Sequence, residues 1–140
     1  MAERVDQGLA RVAAAALRDR VVDSELRTRM RGLPAMLQTS GLAATCAFLL
    51  SKDSDHDRKD AYWLTAKTLL DEAAKAVGIV PDPEDPNRTL DALSHADSQK
   101  YVVAETRAAM LALWLSRLAQ AKVIAQGEQK PGAKKPGEKK

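Results

Sequence analysis

At 140 residues, with 45% hydrophobic and 29% charged side chains, the chain suits one domain with a modest core, and its composition is neither that of a disordered polymer nor that of a membrane protein. Its net charge of +3 does not by itself indicate nucleic-acid binding. Residues 121–140 carry six lysines against two glutamates, so residues 1–120 sum to −1. Any polyanion must therefore be recognised by where the charges sit rather than by how many there are.

Strand signals are nearly absent. Period-2 alternation is missing, β-branched clusters are few and alanine is abundant, so the expected fold is all-α, a compact bundle of about five helices. The first helix is expected from about Glu3 to the high twenties, with Val5, Leu9, Val12 and Ala16 on its apolar stripe and a bend allowed near Val22–Ser24. Arg31-Gly32-Leu33-Pro34 reads as a stop and restart, with glycine as C-cap and proline opening the next helix. That next helix, Leu33–Lys52, is apolar almost all the way round. At about 100° per residue, Met36, Leu37, Leu42, Ala43, Ala44, Cys46, Phe48, Leu49 and Leu50 cover most of the cylinder. Gln38, Gly41, Thr45 and Lys52 are left on one narrow seam. A small seam with a glycine in it implies close approach by another helix, another subunit or a nucleic-acid backbone. The same stretch comes nearest to a membrane span, but Gln38, Thr39, Ser40 and Thr45 interrupt it. No targeting segment is expected, since the run Ala13–Ala16 lacks the apolar core of a secretory signal. The single Cys46, without a partner, points to a reducing, cytoplasmic setting.

Asp53-Ser54-Asp55-His56-Asp57 forms a polar connection to a third helix, about Asp57–Val77. Trp63, Ala66, Leu70, Ala73 and Val77 are expected inward there, and Lys67, Asp71 and Lys75 on the wet face. Gly78 caps that helix, Pro81–Asn87 is a proline-rich loop, and a short helix follows over Arg88–Ser94. The last helix runs from Ser98 to about Ala125. Val103, Met110, Trp114, Leu118 and Ala121 share one face, and the small residues Ala109, Ala112, Ser116 and Ala119 lie on another. It is expected at the centre, packed on Leu33–Lys52. Residues 1–126 are taken as one domain and 127–140 as a disordered basic tail of Gly, Pro, Lys and Glu.

Chemistry-bearing motifs are weak. The 53–57 segment imitates a calcium loop, but Arg58 stands where the sharp turn needs glycine and Leu64 where a bidentate Glu belongs. Its ordinary reading is a charged loop with Asp57 at a helix N-terminus. His56 and His95 have no second ligand at metal spacing. Ser40 sits mid-helix rather than on a nucleophile elbow. No enzyme activity, metal, cofactor or small-molecule substrate is expected. Arg4, Arg11 and Arg18 recur every seven positions, a stripe of guanidinium groups about 10 Å apart that can track a phosphate backbone, with Arg29 joining it on an unbroken helix. The competing reading is a solvated face paired to Asp19, Asp23 or Glu25. Only five aromatics are present and both tryptophans fall on apolar faces, so base stacking is not indicated. Arg107, on the Trp114 face, is either paired inside the bundle or marks an interface.

Leu33-Pro34-Ala35-Met36-Leu37, Ser40-Gly41-Leu42 and Ala47-Phe48-Leu49, together with Tyr101, Thr106 and Trp114-Leu115-Ser116-Arg117, stand in an order that resembles the small helical subunit of type III-B CRISPR effector (Cmr) complexes. The resemblance spans about residues 4–125. Ser116 departs from it, standing where the family pattern has a basic residue, so only Arg117 carries over. The resemblance implies a non-catalytic subunit. Several copies would stack along the complex beside its backbone and large subunits, touching the guide–target RNA duplex through basic faces. Candidate RNA contacts are then Arg11, Arg18, Lys52 and Arg117, and no membrane partner is expected. The alternatives are a stand-alone helical DNA-binding regulator, against which no short helix-turn-helix with a basic second helix is found, and a structural adaptor with salt-bridged arginines.

Overall fold

A computed structural model describes residues 5–18, 24–51 and 61–128. Within them the chain is all-α: α1 (Val5–Leu17), α2 (Ser24–Ser51), α3 (Ala61–Ala76), α4 (Pro86–Ser94) and α5 (Ser98–Glu128), with no strand among the described residues. α5 is the central helix, packed against α2, α3 and α1, and α3 in turn meets α2 and α4. The expected contact between the second and last long helices is therefore the main one in the bundle.

α1 buries Leu9, Ala13 and Leu17, one line at i, i+4 and i+8. Val12 and Ala16 flank that line, while Val5 is exposed, so the buried stripe is rotated from the expected one. The helix ends at Leu17, well before the high twenties. In α3 the described inward residues are Ala66, Leu69, Leu70, Ala73 and Ala74, and Lys67 pairs with Asp71 at 2.7 Å. Gly78 closes α3 with φ 78°, its neighbour Ile79 donating its N–H back to the Ala74 carbonyl at 2.9 Å. The proline-rich segment is held in place. Asp82 accepts the Glu84 and Asp85 N–H groups at 2.8 Å, and those bonds hold its carboxyl below the usual range. Asp85 caps α4 by accepting from the Asn87 N–H at 3.0 Å, so the helix opens at Pro86 rather than Arg88. α5 runs to Glu128, two residues into the expected tail. The remainder of that tail, 129–140, and the connection 53–57 lie outside the described residues.

α2 departs most from expectation. It neither stops at Gly32 nor restarts at Pro34 but runs through both. Met30, Leu33 and Leu37 form a buried line at i, i+3 and i+7 across the pair, and burial of that line outweighs the hydrogen bond lost at proline. The break comes instead at Gly41, whose φ of 89° and ψ of 171° belong to a region open essentially to glycine alone. On a straight helix Arg29 and Phe48 would stand roughly 28 Å apart, yet the Arg29 guanidinium carbon lies 5.0 Å from the Phe48 ring centroid. The chain therefore doubles back at Gly41 into two arms, residues 24–40 and 42–51. Arg27–Ser51 taken as one segment has the length and mean hydropathy (1.4) of a span, but neither arm reaches the roughly 20 residues a span needs.

This corner explains the all-round apolarity. At about 100° per residue, Met30, Leu33 and Leu37 share one azimuth, and Leu42, Thr45, Cys46 and Leu49 share another roughly 140° away. Each arm has one ordinary buried face. Cys46 is fully buried in the second arm, and desolvation pushes its thiol up to about 12. At pH 8 iodoacetamide should therefore label the native protein only as fast as it unfolds, while denatured protein labels at once. Rapid labelling of the native state would show that the second arm opens on its own.

Candidate assembly and nucleic-acid interface

The seam residues of α2 meet α5. Beyond Gly41, the first N–H groups of the second arm have no partner within their own helix. α5 supplies two: Leu42 N–H donates to Glu105 Oε2 at 2.8 Å, and Ala43 N–H to the Tyr101 hydroxyl at 2.9 Å. The Glu105 carboxylate thus sits at the positive end of the second arm's dipole. A Cβ on Gly41 would lie 2.9 Å from Glu105 Oε2, so the close approach along the seam is that of this carboxylate. Burial, and secondarily the Glu105 charge, raises the Tyr101 hydroxyl pKa above its usual value. Of the other seam residues, Gln38 is exposed and Thr45 fully buried. Glu105 was not singled out from sequence, although it is the one acidic residue between Asp97 and Glu128.

Anchoring α5 in this way fixes which of its faces turns outward. Ala104, Ala108, Leu111, Ala112, Leu115 and Ala119 are buried, whereas Val102 (58% exposed), Val103 (49%), Met110 (38%) and Leu113 (44%) face water. Trp114 and Leu118 pack at the edge of the core, but Val103, Met110 and Ala121, which share a face with them, are exposed. Alanine lets α5 approach its three neighbours closely; of the small side, Ala112 and Ala119 are buried and Ala109 and Ser116 half-buried. Beside the exposed stripe, Pro34, Leu37, Gln38, Glu105, Thr106, Ala109 and Leu113 line a shallow groove between α2 and α5.

The candidate RNA contacts fall as follows. Arg11 lies exposed on α1 and Arg18 exposed just past its end, each with an interaction inside the chain. Arg117 is exposed, in helical register with Thr106, Met110 and Leu113, and makes no ion pair with another described residue. Lys52 lies outside the described residues, as does Arg4. Leu17, Met30, Leu64 and Leu115 surround one small internal cavity, which brings the backbone at Arg18 and Arg117 to the same end of the bundle. Arg29, which would continue the α1 stripe only on an unbroken helix, belongs to a different helix. Arg107 is paired inside the bundle, donating to Glu72 Oε2 at 3.2 Å.

The first arm of α2 carries Arg27, Arg29 and Arg31, a cluster not singled out from sequence. The signal for it was available: no Asp or Glu occurs between Glu25 and Asp53. His95 caps α4 at the surface, and His56 lies outside the described residues. Among the described residues no three His, Cys, Asp or Glu side chains gather as a metal site.

Compared with known proteins, residues 2–122 match the family described as CRISPR-associated protein (Cas_Cmr5). No curated protein and no solved structure matches the chain. The match covers the five-helix bundle from before α1 to within α5, including the Gly41 corner and the α5 residues that hold it. The chain therefore belongs to the Cmr5 family, the small subunit of the type III-B CRISPR complex.

Proposed function

We propose that this chain is a non-catalytic subunit that stacks in several copies along the type III-B effector complex. It contacts the backbone of the guide–target RNA duplex through basic faces, in the cytoplasm, as part of antiviral defence. The observation that carries the reading is the outward face of α5. The helix most enclosed by its neighbours still turns Val102, Val103, Met110 and Leu113 to water, with Arg117 on the same stripe. An apolar line of this kind, interrupted only by Thr106, suits docking against another subunit. A guanidinium at its end suits a passing phosphate backbone, and A-form duplexes are recognised through phosphates and shape. Arg11 and Arg18 extend the basic surface along α1, and Lys52 is kept as a further contact. Residues 129–140 would serve as a solubilising tail. Unlike the structural-adaptor alternative, this reading requires arginines available to RNA.

The test reverses Arg11, Arg18 and Arg117 to Glu together in the assembled complex. Helicity by circular dichroism should be unchanged, and target-RNA affinity should fall about 10-fold or more, with a shallower salt dependence. Unchanged affinity and salt dependence would sink the reading.

A further inference from the structure

We propose that the Gly41 corner is the hinge of a domain exchange, in which two copies of this chain straighten α2 and trade α1 and the first arm to form a closed dimer. The proposal concerns the free subunit and is independent of the RNA-contacting reading above. The corner leaves a buried hydroxyl unmet. Thr39, Thr68 and Thr106 each donate their hydroxyl to the carbonyl four residues back, at 2.8, 2.7 and 2.9 Å. Thr45 is fully buried, yet its Oγ1 has no hydrogen-bond partner among the described residues. The carbonyl four residues back from Thr45 is that of Gly41, and a ψ of 171° turns it away from the helical direction. A buried hydroxyl without a partner destabilises the state that holds it. The bend also leaves the Leu42 and Ala43 N–H groups dependent on Glu105 and Tyr101 across the bundle. A straight α2 satisfies all three groups within itself: Leu42 N–H on the Gln38 carbonyl, Ala43 N–H on that of Thr39, and the Thr45 hydroxyl on that of Gly41.

A chain cannot straighten alone. Met30, Leu33 and Leu37 of the first arm and Leu42, Cys46 and Leu49 of the second are all buried. On a straight helix the two sets stand roughly 140° apart, so one α5 cannot cover both. The surface that opens is the one α1 and the first arm cover in this chain, and the same segment of a second copy fits it residue for residue. Leu17 and Met30 meet Leu64, Thr65, Thr68 and Leu115 around one small cavity, so α1 and the first arm pack as one unit on α3 and α5. Arg29 of that unit lies over the Phe48 and Tyr62 rings, a contact the partner copy restores. Exchange between identical chains closes with two-fold symmetry and keeps every contact except those at the hinge. The hinge alone therefore sets the balance. Glycine accepts a φ of 89°, and Glu105 and Tyr101 hold the bend, so the single chain is favoured at low concentration. A residue with a Cβ is disfavoured in the bend and at ease in the straight helix.

The experiment takes the purified full chain as wild type, Gly41→Ala and the Gly32→Ala control, each refolded at high protein concentration and followed by sedimentation equilibrium over a dilution series. Gly41→Ala should dimerise with a dissociation constant at least about 100-fold below that of wild type, because each of the two chains escapes a penalty of about tenfold or more. Gly32→Ala, helical in both forms, should match wild type. Adding Thr45→Val to Gly41→Ala should loosen the dimer about 10-fold, since no hydroxyl is left to gain from straightening. The melting point of Gly41→Ala should climb with protein concentration, starting from that of a strained single chain. Spin labels at Arg31→Cys and Ser51→Cys of one chain, diluted into unlabelled chains, report the shape of α2 itself; both positions are exposed and Cys46 is buried. The dimer should give the roughly 30 Å of twenty helical residues, and the single chain a distance well below it. A Gly41→Ala dimer with the short distance is a surface association and overturns the proposal, as does Gly41→Ala that stays a single chain at the highest concentration. Should Gly41→Ala fail to fold, wild type refolded at the highest concentration decides: a dimer with the long distance supports the exchange, and its absence overturns it.

Discussion

Gly41→Ala should destabilise the protein by roughly 3–5 kcal/mol, lowering the thermal midpoint by about 10–20 °C for a domain of this size. Two costs combine. A φ of 89° with ψ of 171° costs a non-glycine residue about 1–3 kcal/mol. The new Cβ would also stand 2.9 Å from Glu105 Oε2 and push the carboxylate off the Leu42 N–H, losing a charge-assisted bond of about 1.5–3 kcal/mol. Gly32→Ala is the matched control. Gly32 lies in the exposed interior of α2's first arm with open space about it, so alanine there should stabilise by up to about 1 kcal/mol. Thermal melts of the two variants should move in opposite directions. If both move the same way, or if Gly41→Ala shifts the midpoint by less than about 2 °C, the corner does not carry the strain assigned to it.

Glu105→Ala should cost roughly 2–3 kcal/mol in equilibrium urea unfolding, because it leaves the Leu42 N–H partly buried at the start of a helix with no acceptor. Glu105→Gln should lose about half of that. Its amide oxygen still accepts the bond, but the negative charge at the positive end of the arm is gone. The decisive measurement is the double-mutant cycle with Gly41→Ala. Part of the Gly41→Ala cost is the collision with Glu105, and Glu105→Ala removes the collider. The double variant should therefore be less destabilised than the sum of the singles by about 1–2 kcal/mol. Strict additivity would mean that the carboxylate and the corner are independent.

The Gly41 corner also shows how much could be read without coordinates. The apolar cylinder over Leu33–Lys52, its small seam and the implied close approach were all legible. So was the pairing of that segment with the last helix. The doubling back was not. A single azimuth assignment carried across Gly41 merges two buried stripes into one helix that looks apolar on every side. The line Met30, Leu33 and Leu37 marked continuity through Gly32–Pro34, but glycine followed by proline is so common a helix boundary that local rules favoured a stop there. Of the candidate contacts, the exposed Arg117 was reached through resemblance. Arg29 would have joined the α1 stripe only on an unbroken helix, and α1 ends at Leu17.

The sequence by itself determined the all-α class, the central place of the last helix, the Gly78 cap, and the family, through short motifs in a fixed order. These depend on local propensity and on the order of residues along the chain. Tertiary structure alone decided which glycine turns the chain, which face of α5 is buried, and that Arg29 lies over the Phe48 and Tyr62 rings. Each of these depends on a partner distant in sequence. Glu105 and Tyr101 lie about 60 residues from the N–H groups they accept, and no helical period encodes a contact of that range.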